Sequence, residues 1–162
     1  MFGYDWPRLH AVLNDLPAAL LVVAVVFDVA AALTRRPVFR QVGYWTMLAG
    51  VVGAAAAVLS GLQAEDHIAH GEAVHEVMET HETLAWITLG VFATVALWRL
   101  LRERKMGTAE RGGALALSLI GVGAVVATGS YGGRLMFDHA AGIPTAVLQT
   151  EMHERSEGHH HA

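Results

Sequence analysis

The chain reads as an all-α protein, a four-transmembrane-helix up-down bundle with both termini on the outer face. Three observations predict this. Four apolar stretches stand out, roughly Leu9–Leu33, Val42–Leu62, Thr83–Leu101 and Gly113–Phe137. Each is about 20 residues or more, enough at ~1.5 Å rise per residue to cross a ~30 Å hydrocarbon core. The charges are sorted between the connections. Eight of the eleven Lys and Arg fall in the first and third, at Arg35, Arg36, Arg40, Arg99, Arg102, Arg104, Lys105 and Arg111. Basic loops stay inside, so the termini and the middle connection are expected outside. Aromatic rings at Tyr4, Trp6, Tyr44, Trp45, Trp86, Trp98 and Tyr131 mark the span ends, where amphipathic rings prefer the headgroup level.

Each element follows in order. Pro7 and Pro17 bracket RLHAVLNDL, predicted as an interfacial helical turn leading into the first span. Ala18–Phe27 carries no charge, and Asp28 is the one acid deep in that span. It lies within a turn or two of Arg35 and Arg36 and is expected to pair there or reach for the interface; a functional intramembrane carboxylate is the sharper reading. In the second span Ala49, Gly53, Ala57 and Gly61 recur every four residues, a smooth ridge for close helix approach. Gly121, Gly129 and Gly133 give the fourth span a similar face. The connection Gln63–Thr80 is acidic and His-rich, expected outside lipid and partly helical. Past Ile143–Pro144 the chain is polar, and little order is expected. The domain is thus 1–145, followed by a His-containing tail, 146–162. Two hairpins with Arg-rich inner loops hint at an internal repeat.

The totals exclude several classes. At 162 residues and 54% apolar content, one four-helix domain fills the chain. Twelve of fifteen Asp and Glu fall on the expected outer face, and no basic patch exists beyond the short inner loops, so nucleic acid is not an expected partner. Cysteine is absent, which rules out disulfides, iron–sulfur clusters, covalent c-type haem and a thiol nucleophile. No Walker loop, dinucleotide glycine pattern or Ser/His/Asp triad is present. The start MFGYDWPRLH lacks a positive n-region, so no cleavable signal peptide is expected.

The chemistry rests on histidine. All ten, His10, His67, His70, His75, His81, His139, His153, His159, His160 and His161, fall on the expected outer side. His10 opens the first helix, His67 and His70 follow the second, His81 opens the third and His139 follows the fourth. An up-down bundle brings those ends together. Facing imidazoles hold b-type haem, so the favoured reading is an electron-transfer subunit with haem between His10 or His67 and His81 or His139. Arg134 would meet a propionate, Trp86 and Met136 would wall the porphyrin, and a periplasmic partner or quinone would exchange electrons. Alternatively His10, His81, Glu82 and His139 would hold zinc, copper or iron for binding or transport. A third reading is a structural membrane anchor of a larger complex, its histidines only capping helices. No catalytic residue is assigned, and an accessory subunit is expected rather than a free-standing enzyme. Glu79-Thr80-His81-Glu82 is not a metalloprotease motif, since no second His follows at the required offset. His75, His153 and the last three histidines read as solvated.

Four motifs resemble a bacterial family of predicted integral membrane proteins, domain of unknown function number 2231. They are LHAVLNDLP near the start, SGLQAE after the second span, METHETLAWITLG opening the third, and GGRLMFDHAAG closing the fourth. They contribute His10, Pro17, Gly61, Glu65, His81, Glu82, Gly132, Gly133 and His139, and cover about Arg8–Thr145. The resemblance implies a multi-pass protein of the bacterial inner membrane and no agreed activity; similar members can be fused to redox domains, which implies electron transfer. This chain departs at Asn14, where a second His is common, and at His139-Ala140-Ala141-Gly142, where the family has HGxG.

Overall fold

Asp5 starts the first helix by accepting the Arg8 N–H at 3.1 Å, filling one of the donors a helix start leaves open. In the computed structural model, which describes residues 5–68 and 71–158, α1 (Trp6–Thr34), α2 (Pro37–Glu65), α3 (Glu72–Arg102) and α4 (Thr108–Phe137) follow one another. All four are long and apolar enough to cross a membrane. Tyr4, His70, His159, His160 and His161 lie outside the described residues.

Three expectations are corrected. Pro17 does not bound an interfacial turn: α1 runs through it, and its ring is buried, with a Cβ on Gly53 reaching within 3.2 Å of its own Cβ. A bundle can accept proline mid-helix where a small residue opposite makes room. The tail is also more regular than expected. It forms α5 (Thr145–Ser156), with i,i+4 pairs Glu151–Arg155 at 3.6 Å and His153–Glu157 at 3.3 Å that favour helix. Lastly, the tightest helix contacts are not all on the expected glycines. Ala49 is exposed, and Gly129 and Gly133 have open space around them; of the expected positions Gly53, Gly61 and Gly121 do approach the facing helix, joined by Gly43, Gly50 and Gly132, which lie off the expected ridges.

Contacts fix the topology. Along α1, His10, Pro17, Leu21 and Asp28 meet Ala57, Gly53, Gly50 and Gly43 in turn, so α1 and α2 form an antiparallel hairpin. Along α3, His81 and Phe92 meet Gly132 and Gly121 of α4 in the same way. The helices touch in the cyclic order α1, α2, α3, α4, most closely within each hairpin, leaving α1 and α3 diagonal.

The hairpins are equivalent. His10 and His81, Leu21 and Phe92, Gly50 and Gly121, and Gly61 and Gly132 each stand 71 positions apart and do the same job. Each His packs on the later glycine of its hairpin, and Leu21 and Phe92, both almost fully buried, pack on the earlier one. The two rings meet near one end of the bundle, and Asp28 meets Arg99, again 71 positions on, near the other. Two parallel repeats therefore face each other across a pseudo-two-fold axis along the bundle, an arrangement familiar in membrane proteins.

Candidate functional site

His10 sits one turn into α1. Its Nδ1 donates to the Ala57 carbonyl at 3.0 Å and lies 3.2 Å from Ser60 Oγ. His81, on α3, donates from Nδ1 to the Thr128 carbonyl at 2.9 Å. Both bonds span 47 residues of chain, one in each hairpin. A carbonyl only accepts, so Nδ1 carries the proton in both rings and Nε2 keeps its lone pair. Neither Nε2 has a hydrogen bond among the described residues. The rings are half-buried, 6.4 Å apart between centroids and nearly perpendicular at 80°.

Glycine makes this approach possible. A Cβ on Gly61 would stand 3.0 Å from His10 Cε1, and one on Gly132 would stand 3.1 Å from His81 Cε1. Those separations are tighter than carbon atoms ordinarily accept, so each ring is seated against a bare stretch of the partner helix.

The other expected residues are not gathered into this pair. His67 is exposed and turns back on its own helix, Nδ1 to the Gln63 carbonyl at 2.7 Å. Glu82 accepts the Trp86 indole N–H at 3.1 Å. Arg134 lies 3.9 Å from Asp138 and stacks on Tyr131 at 5.1 Å. His139 follows α4 in a turn, half-buried. Trp86 and Met136, expected as porphyrin walls, are about half exposed. No three His, Asp or Glu come together as a metal-binding group among the described residues.

The opposite end holds what sequence reasoning misses. Asp28 pairs with Arg99, not with Arg35 or Arg36: Arg99 Nη1 donates to Asp28 Oδ2 at 2.5 Å, with side chains only 5% and 13% exposed. Helix geometry explains the correction, since Asp28 faces the bundle axis while Arg35 and Arg36 lie in the exposed turn. Arg99 also reaches Glu103 at 2.9 Å, and Glu103 gathers Arg40 and Arg111 at 3.2 Å each. A signal was available. Sliding the sequence by 71 lays His10 on His81, Arg40 on Arg111, Gly50 on Gly121, Gly61 on Gly132, and Asp28 on Arg99.

Four apolar helices of membrane-crossing length, with Asp28 and Arg99 paired in their interior, define a four-helix integral membrane protein. The chain belongs to the family described as predicted membrane protein (DUF2231), whose model matches residues 7–145 and so takes in both hairpins. No curated protein and no solved structure matches it.

Proposed function

We propose that this membrane protein holds a b-type haem between His10 and His81 and works as an electron-transfer subunit. The observation that carries the reading is the matched imidazole pair. One imidazole from each hairpin lies within 6.4 Å of the other between ring centroids, so His10 and His81 are the residues that would hold the group together. Each Nδ1–H is anchored on a backbone carbonyl, the outer-shell bond that orients a ligating imidazole and raises the basicity of its other nitrogen. A bound haem would supply one-electron redox chemistry. Arg134, exposed at the same end, is the candidate cation for a propionate or an anionic partner, and a quinone or a periplasmic protein is the proposed electron partner. His67 and His139 have no part in this ligand set, which narrows the sequence expectation to one pair.

A second reading has its own support. The same Nδ1 bonds tie α1 to α2 and α3 to α4, so the histidines can act as latches within the hairpins, as in the anchor reading. Optical spectra of detergent-purified protein, made under haem-replete conditions, separate the two. A sharp α band on dithionite reduction is expected, lost in His10→Ala and in His81→Ala and kept in His139→Ala. Colourless protein with stoichiometric zinc, copper or iron would favour the metal reading instead. Protein with neither pigment nor metal would leave the latch.

The electron partner depends on sidedness. Charge sorting predicts that cysteines placed at Thr34 and Thr108 are labelled only from the cytoplasm, and at Gly71 only from outside the inner membrane. The reverse pattern would put the histidines inside the cell and remove the periplasmic partner.

A further inference from the structure

At the end of the bundle away from the histidines, the Arg35–Arg36 turn and the starts of α2 and α4 wall a cavity of about 550 Å³. Five arginines line it, Arg35, Arg36, Arg40, Arg99 and Arg111, against two carboxylates, Asp28 and Glu103. Both carboxylates are already engaged. Asp28 holds Arg99, while Glu103 is shared among Arg40, Arg99 and Arg111. That leaves Arg35 and Arg36, both exposed and without an ion pair among the described residues. The cavity therefore carries an excess of fixed positive charge beside a preassembled guanidinium network.

Two further features point the same way. Arg35 closes α1 in the left-handed conformation, φ 57° and ψ 18°, a position where glycine is the favoured residue. A side chain kept in a strained backbone position at the rim of a cavity is a pattern met at binding sites. In addition, Pro37 and Thr108, the first residues of α2 and α4, are both in the wall. Each helix start adds a partial positive charge; at α4 Glu110 meets part of it by accepting the Gly107 N–H at 3.0 Å, whereas Arg36 gives α2 no side-chain cap.

We infer that this cavity binds a phosphate group, gripped by the guanidinium forks of Arg35 and Arg36 over the Glu103 network. The phosphate can come from the headgroup of an anionic phospholipid, a known occupant of basic pockets between membrane helices, or from a small soluble phosphate ester. The inference does not depend on haem, since it involves the other end of the bundle and none of the same residues.

The test uses the full chain in detergent. Native mass spectrometry measures retention of phosphatidylglycerol against phosphatidylcholine, and thermal-shift titration measures stabilisation by inorganic phosphate and glycerol 3-phosphate. Preferential retention of phosphatidylglycerol identifies the lipid source, and saturable stabilisation by the soluble phosphates identifies the other. In either case Arg35→Gly combined with Arg36→Gln should weaken binding about tenfold or more. Arg35→Gly alone suits the left-handed position, so its loss of binding should come with an unchanged or higher melting temperature. Arg104→Gln with Lys105→Gln removes two charges from the next loop, outside the cavity wall, and should leave binding unchanged. Binding in neither arm, or an equal loss in the Arg104/Lys105 variant, overturns the proposal in favour of diffuse loop charge.

Discussion

Arg99→Met should destabilise the bundle by about 3–5 kcal/mol, the usual loss when one partner of a buried ion pair is removed. The change keeps most of the side chain's length and packing but strips the guanidinium from Asp28, whose carboxylate is 13% exposed. Asp28 has little room to turn elsewhere. A Cβ on Gly43 would lie 2.6 Å from its Oδ1, so the α2 backbone presses directly on the carboxylate. Asp28→Asn should be milder, because Arg99 keeps Glu103 at 2.9 Å. The double variant should recover much of the loss, since no uncompensated charge then remains and the two effects are coupled through one contact. Arg134→Gln is the control: its pair with Asp138 is half exposed at 3.9 Å and should contribute about 0–1 kcal/mol. Denaturant titration in mixed micelles gives all four values. A loss from Arg99→Met no larger than that from Arg134→Gln would show that the Asp28–Arg99 contact does not stabilise the fold.

Gly121→Val should be nearly as damaging, and Gly123→Ala, two residues along the same helix, should act in the opposite direction. A Cβ at position 121 would sit 2.7 Å from Phe92 Cε2 and 2.9 Å from Cζ. Phe92 is fully buried and cannot swing aside, so the branched side chain overpacks the core by about 1–3 kcal/mol or more. Trimming the ring in Gly121→Ala/Phe92→Leu should return part of the loss. Position 50 should behave alike, its added Cβ lying 2.8 Å from Leu21 Cδ2. At position 123 nothing lies within 4 Å, and alanine there should raise stability by about 0.5–1 kcal/mol by removing glycine's backbone freedom from mid-helix. Melting temperatures in one detergent decide it. Equal tolerance of both substitutions would mean that α4 does not pack on Phe92 through Gly121.

The two predictions differ in how far the sequence anticipates them. Gly121 was legible as part of a small-residue face, but so were Gly129 and Gly133, which touch nothing within 4 Å. Small residues permit close approach without choosing the neighbour. Arg99 was legible only as one more positive charge in a basic connection. Its burial and its bond to Asp28 come from the diagonal placement of α1 and α3, which no local pattern records. The candidate site divides in the same way. His10 and His81 stand out as histidines beside apolar spans, yet so does His139, and on sequence alone His67 is an alternative to His10. The pairing follows from the 71-residue repeat, whose few identities are scattered among residues that differ between the halves.

By itself the sequence determined four membrane-crossing helices, their order and their short connections. It also determined the loading of histidine at one end and arginine at the other. These are local properties, because hydropathy, helix length and loop charge are set by neighbouring residues and by the thickness of the bilayer. Only the tertiary structure decided which faces meet. In a lipid-embedded helix apolar residues run all round the cylinder, so no stripe marks the inward side as it does in a soluble helix. The pairings of His10 with His81 and of Asp28 with Arg99, and the cavity beside Arg35, exist only once two hairpins pack around their shared axis.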